Sequence, residues 1–275
     1  MIRIITDSTA YIPKDFAEDN HIIVLPLTVT LENEEFDDSN PNCFEEFFEK
    51  VDKSKTSPQS SQPNISLVHE AFENVLKNGD EAIAISISAS LSGTQSTFNI
   101  VKNELDTENK ISVLDSQTVG QTIFLYIKEA IKMINEGKTR AEICERIINL
   151  QKESFISFVP ENLDSLKRGG RIGKVGYFIA SILKIKPVLT FKQGVLNCVK
   201  KVVGIKNAMI SLIKQIPQKV KEIMVLKIAK SSHFEEFKNM VKTAHPNVPI
   251  TTGDLGPAVG THVGKAIGLC CLVEQ

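Results

Sequence analysis

The chain has 275 residues, with 32 Lys and Arg against 33 Asp and Glu, a formal charge of −1, and 42% hydrophobic residues. That length fits one large or two ordinary domains with a substantial core. The balanced charge argues against nonspecific nucleic-acid or anionic-membrane binding, and no apolar stretch is long enough to span a bilayer.

The first residues, Met1-Ile2-Arg3-Ile4-Ile5-Thr6-Asp7, read as a strand rather than a secretion signal, so a cytoplasmic location is expected. The five cysteines, Cys43, Cys144, Cys198, Cys270 and Cys271, form no Cys-x-x-Cys pair and read as reduced thiols. The histidines show no zinc-type spacing, and neither a metal nor a cofactor is expected.

In chain order, residues 2–6 predict a buried strand and 11–20 a short helix entered through Pro13. Residues 22–27 and 29–31 are extended, residues 33–41 a polar loop, and 43–53 a helix. The Ser- and Pro-dense segment 54–64 reads as loop. Residues 66–77 form a helix with Val68, Phe72, Val75 and Leu76 on one face. A strand over 82–87 then enters the loop Ser86-Ile87-Ser88-Ala89-Ser90-Leu91-Ser92-Gly93-Thr94-Gln95-Ser96, which opens a helix over 97–105. A strand over 111–114 and helices over 118–135 and up to 151 follow, the second entered by the capping box of Thr139 and Glu142. Strands separated by helices imply a parallel sheet covered on both faces.

The pattern changes near residue 153. An apolar run over 155–159 precedes the basic segment Leu166-Lys167-Arg168-Gly169-Gly170-Arg171-Ile172-Gly173-Lys174 and a helical stretch over 175–183. Residues 188–191 and 195–199 flank Lys192-Gln193-Gly194 as a hairpin. Then come a helix over 208–216, a strand over 223–228, a helix capped by Ser232 and Glu235, a strand over 248–252, and a final helix from Pro257. A hairpin mixed with β-α units points to a second α/β domain with a mixed sheet.

The Ser-rich loop sits at the carboxyl end of a strand, where open α/β sheets bind ligands. Its helix amides favour an anion, yet it carries no Lys, Arg or acid. Asp7 and Asp115 each follow a strand and suit loop bracing or acid–base work. His262 lies in the Gly-rich connection Gly253-Asp254-Leu255-Gly256-Pro257-Ala258-Val259-Gly260-Thr261-His262. No Gly-x-Ser-x-Gly elbow accompanies it.

Taken in order, the motifs Thr6-Asp7-Ser8-Thr9, Leu25-Pro26-Leu27, Ser61-Gln62-Pro63, Leu91-Ser92-Gly93-Thr94, Asp115-Ser116, Gly169-Gly170-Arg171-Ile172, Leu183-Lys184-Ile185-Lys186-Pro187-Val188 and Thr261-His262-Val263-Gly264 resemble the DegV family of bacterial fatty-acid-binding proteins. The resemblance spans essentially the whole chain. It departs at Ala89, where a second Ser is usual, and at Gln95, where an aromatic is usual.

The resemblance implies two α/β domains, here residues 1–153 with a parallel sheet and 154–275 with a mixed sheet, each flanked by helices, enclosing one long-chain fatty acid at their junction. It implies headgroup binding by Ser60, Ser61, Ser92, Gly93, Thr94 and His262, with Thr56 as the alternative to Ser60. Arg171 matches a partner-docking arginine. The implied role is non-catalytic: the chain presents the carboxylate to an ATP-dependent fatty acid kinase, whose acyl phosphate feeds phospholipid synthesis. Nucleic acid and a membrane span are not expected, while transient membrane contact stays open. The competing readings are a lipid-sensing regulator, and a phosphotransferase or hydrolase using Ser92 or Asp7. Lipid entry and exit would use an opening at the 175–183 helix.

Overall fold

A computed structural model describes residues 1–172 and 185–274. The sequence readings at Gly173, Lys174 and the 175–183 helix, including its role in lipid entry, lie outside these residues.

The first half contains strands β1 (Ile2–Asp7), β2 (Ile23–Leu25), β3 (Thr28–Leu31), β4 (Glu34–Asp37), β5 (Gln59–Ser61), β6 (Glu81–Ser86) and β7 (Ile111–Asp115). Its helices are α1 (Lys14–Asp19), α2 (Phe44–Lys53), α3 (Ile65–Lys77), α4 (Thr94–Leu105), α5 (Gln121–Asn135) and α6 (Arg140–Glu153). Four strands form an all-parallel sheet in the order β2-β1-β6-β7. Ala82, Ile83, Ala84 and Ile85 are all buried, as a strand covered on both faces requires. On one face Phe72 of α3 meets Phe98 of α4 at 5.8 Å between ring centres. On the other lies α5, whose Ile123 and Ile127 share one core with Ile4 and Ile83 of this sheet and with Met224 and Cys270 of the next.

The second sheet is built from β8 (Ser154–Pro160), β9 (Ile185–Lys192), β10 (Val195–Val203), β11 (Val220–Ile228), β12 (Ile250–Leu255) and β13 (Ala266–Val273). The order is β10-β9-β8-β13-β11-β12, with β11 and β12 parallel and the other pairs antiparallel. Helices α7 (Asp164–Arg168), α8 (Ile205–Ile213), α9 (Phe234–Ala244) and α10 (Pro257–Val263) complete this part. Two α/β layers, one parallel and one mixed, are thus the observed fold class.

Several local expectations are corrected. Residues 33–41 and 54–64 read as loop, but β4 and β5 flank β3 in a small antiparallel sheet. Strand β13, between β8 and β11, has no signal in the sequence: its run Ala266-Ile267-Gly268-Leu269-Cys270-Cys271 lacks alternation. The Ser232–Glu235 capping box does not form, since α9 starts at Phe234 without a side-chain cap bond. The Thr139–Glu142 box does form.

Candidate functional site

In the sheet order β2-β1-β6-β7 the strand order reverses between β1 and β6, although the strands stay parallel. Such a switch point leaves a crevice beyond the strand ends. Two carboxylates brace the loops there. Asp7 accepts from Thr9 N at 3.1 Å and from Ile87 N at 2.7 Å, joining the turns after β1 and β6. Asp115 accepts from Ala89 N at 3.2 Å and Gln117 N at 2.8 Å. Both acids hold backbone. Asp7 is fully buried, which raises its pKa despite those bonds.

A cavity of about 200 Å3 opens over this crevice, walled by both halves of the chain. From the first half come Thr9, Ser60, Ser61, Gln62, Ser92 and Gly93; from the second, Arg171 and His262. Ser60 and Ser61 arrive on β5, held by β3 through the pairs Val29 to Ser60 and Thr28 to Ser61. Gln62 Nε2 donates to Thr97 Oγ1 of α4 at 2.7 Å, fixing the end of β5 on that helix. Ser92 Oγ lies 2.9 Å from Thr94 Oγ1, and α4 begins beside them with Gly93 as its uncapped flank.

His262 projects from α10 and meets Ser60 Oγ through Nε2 at 2.7 Å. Its Nδ1 is buried without a hydrogen-bond partner among the described residues. A side chain on Gly169 would put its Cβ 2.4 Å from that Nδ1, so the Gly169 backbone packs on the ring. Burial, and then the Arg171 charge, push the His262 pKa down to about 4. The ring is neutral at physiological pH, with one nitrogen a donor and the other an acceptor.

Of the residues expected at the site, Ser60, Ser61, Ser92, Gly93 and His262 share this wall. Thr94 is buried behind Ser92 and is not part of the wall. Thr56 is exposed, bonded to Ser54, and outside the wall. Arg171 was expected at a partner surface. It is exposed, but it also borders the cavity, donating from Nε to Leu91 O at 3.1 Å and from Nη1 to Gly169 O at 2.6 Å. Those bonds leave three of its five N–H donors. The Ser-rich loop is free of charge, yet the cavity is not. The link between a loop near residue 92 and a cation near 171 is tertiary and has no signature in spacing.

The rest of the wall is apolar and includes Leu27, Leu91, Phe158, Leu166, Phe191 and Leu196. A smaller cavity of about 30 Å3 adjoins it and shares five bordering residues, Val119, Phe158, Phe191, Val259 and Val263.

Among the described residues the Ser92 hydroxyl meets that of Thr94, and Asp7 accepts from the backbone N–H groups of Thr9 and Ile87. Among the described residues no group of three or more His, Cys, Asp or Glu could hold a metal ion, and no helix is long and apolar enough to cross a membrane.

Comparison with known proteins agrees with this architecture. A DegV domain-containing protein of Clostridium perfringens is 34% identical over 283 residues, covering 100% of this chain and 99% of that protein. The crystal structure of DegV, a fatty acid binding protein from Bacillus subtilis, superposes with a TM-score of 0.88 at 27% identity, covering 99% of both chains. A stearic acid-binding protein from Eubacterium ventriosum has the same fold, with a TM-score of 0.88 at 22% identity, covering 99% of this chain and 98% of that one. The family profile described as uncharacterised protein, DegV family, matches residues 1–274, and the chain belongs to that family.

Proposed function

We propose that this protein binds one long-chain fatty acid at the junction of its two sheets, carboxylate at the polar end and acyl tail along the apolar wall. The observation that carries this reading is the mixed lining of a single cavity. Hydroxyls, a neutral His and an Arg share its wall with aliphatic and aromatic side chains, five of which also border the adjoining apolar cavity. The Bacillus subtilis relative is described as a fatty acid binding protein, which supports it.

Each buried methylene contributes about 0.8 kcal/mol, so the tail supplies most of the affinity. The carboxylate must still be hydrogen-bonded, because an unpaired buried charge is very costly. Ser60, Ser61 and Ser92 donate hydroxyls, His262 donates from its protonated nitrogen, and Thr94 orients Ser92. Arg171 offsets the charge from the rim. Its exposed guanidinium also stands where a protein partner would meet the headgroup. In this reading the chain is a non-catalytic cytoplasmic carrier, and an ATP-dependent fatty acid kinase phosphorylates the presented carboxylate.

The Ser60–His262 pair gives one specific reason to consider a second reading, an acyl hydrolase with Ser60 as nucleophile. Among the described residues the Nδ1 of His262 has no orienting acid of the kind such a pair uses. Mass spectrometry of lipid extracted from the denatured, purified protein tests the carrier. One long-chain fatty acid per chain is expected. Absence of lipid after incubation with a fatty acid mixture, or turnover of an acyl ester, would sink it.

A further inference from the structure

The first half of the Ser-rich loop does something other than face the headgroup. Ser88 and Ser90 are absent from the cavity wall. Ser88 Oγ donates to Gly194 O at 3.0 Å, and Ser90 Oγ donates to the same carbonyl. Gly194 is in the tip of the β9–β10 hairpin. Gln193 and Gly194 have φ of 51° and 77°, the two left-handed residues of a tight hairpin turn. A side chain at Gly194 would bring its Cβ within 2.6 Å of Ser88 Oγ, so only glycine suits both the turn and the close contact. The loop that forms the headgroup end thus also clamps the hairpin from the other half of the chain.

Phe191 stands two residues before that turn. Among the described residues it alone borders three spaces: the headgroup cavity, the smaller apolar cavity, and an open groove of about 800 Å3. Its ring stacks on Phe158 of β8, with centres 6.2 Å apart and planes at 25°. The two rings, with Val119, Val259 and Val263, border both cavities and so frame the neck between them. Beyond the neck lie Ile156, Leu226, Ile228 and Ile267. The outer groove is lined, besides Phe191, by Gln117, Ile148, Gln151, Lys152, Lys192 and Gln193. A tail gains most by burial on the inner path, since the groove is open to water. The rings therefore separate a more favourable route from a less favourable one.

We propose that Phe191, held in place by the Ser88–Gly194 latch, is the residue that selects the acyl tail, by setting the width of the neck between the headgroup cavity and the inner apolar cavity. This rests on the fatty-acid reading above. A smaller residue at 191 widens the neck and admits longer or kinked tails; a larger one excludes them. Each methylene gained or lost beyond the neck changes partition about fourfold.

The test offers the purified protein an equimolar mixture of saturated and unsaturated fatty acids, from myristic to arachidic length. Bound acids are then identified by chromatography and mass spectrometry. Phe191→Ala is expected to shift the bound profile toward longer or unsaturated chains and Phe191→Trp toward shorter ones, by roughly fourfold or more. Phe191→Leu gives a milder shift in the direction of the alanine variant and keeps the test open if that variant does not fold. Ser88→Ala is expected to loosen selection in the same direction. A loaded wild type whose profile all four variants reproduce overturns the gate and leaves the fatty-acid reading standing. A wild type that retains none of the mixture overturns both.

Discussion

Ser60 Oγ and His262 Nε2 lie 2.7 Å apart although 202 residues separate them in the chain. The contact crosses from β5 in the first half to α10 in the second, and it forms the centre of the polar end. A hydrogen bond to a charged group contributes about 1.5–3 kcal/mol, roughly tenfold to a hundredfold in affinity. Ser60→Ala is expected to weaken fatty acid binding toward the lower end of that range. His262→Ala should cost more, because it also empties space beside Gly169. Displacement of a fluorescent fatty acid measures both. Neither the parent nor either variant should hydrolyse an acyl ester; turnover abolished by Ser60→Ala would favour the hydrolase instead.

His262 also makes a pH prediction. Burial, and then Arg171, hold its pKa near 4, below the usual value of 6.5. The folded state therefore disfavours the protonated ring. The stability this contributes is fully present above about pH 6.5 and is lost as pH falls through about 4. A carboxylate placed against the ring has the opposite effect, since a nearby negative charge favours imidazolium. NMR titration of the His262 ring should give a midpoint near 4 in lipid-free protein and a higher one after loading. A midpoint that loading leaves unmoved would place the carboxylate elsewhere.

Arg171 separates charge from burial. With two of its donors on Leu91 O and Gly169 O, its remaining N–H groups are available at the cavity rim. Arg171→Ala should reduce affinity for a fatty acid about tenfold at low salt, with a smaller loss at high salt, because an exposed cation is screened. Affinity for the methyl ester should stay nearly constant. An equal loss for acid and ester would mean that the arginine acts by holding Leu91 and Gly169 in place.

The parallel sheet and the loop after β6 were legible because their signals are local. Four successive apolar residues, Ala82 to Ile85, meet a cluster of hydroxyls, and a helix follows. Strand β5 was not legible. Gln59-Ser60-Ser61 has the composition of a loop, and it becomes a strand only because β3 offers it a partner edge. The motifs of the DegV family pointed to Ser60, Ser92 and His262 together, which periodicity alone could not. They did not place Arg171 on the cavity, since that depends on how the loop after α7 folds back onto Leu91. The role of Ser88 and Ser90 was hidden for the same reason: their acceptor is a carbonyl more than 100 residues away.

Asp38 supplies the last prediction. It is fully buried where the first half meets α10, accepting from Ala258 N at 2.7 Å, Ser8 Oγ at 2.8 Å and Tyr11 OH at 3.3 Å. Burial raises its pKa to about 7 against these bonds, and the charge of Asp7 adds to the rise. A raised carboxyl binds a proton in the folded state that the unfolded chain has released. Its contribution to stability is full below about pH 3.8 and is lost as pH rises through about 7. Asp38→Asn keeps an acceptor for Ala258 N and removes the titration. Denaturant midpoints taken in steps from about pH 4 to 8 should show the parent losing stability relative to Asp38→Asn until about pH 7, and no further relative change above it. Parallel curves across the whole range would show that Asp38 does not titrate there in the folded protein. Because α10 also carries His262, fatty acid affinity of Asp38→Asn at pH 8 reports whether a neutral side chain suffices to seat that helix. Near-parental affinity is expected, since the amide oxygen replaces the bond to Ala258 N.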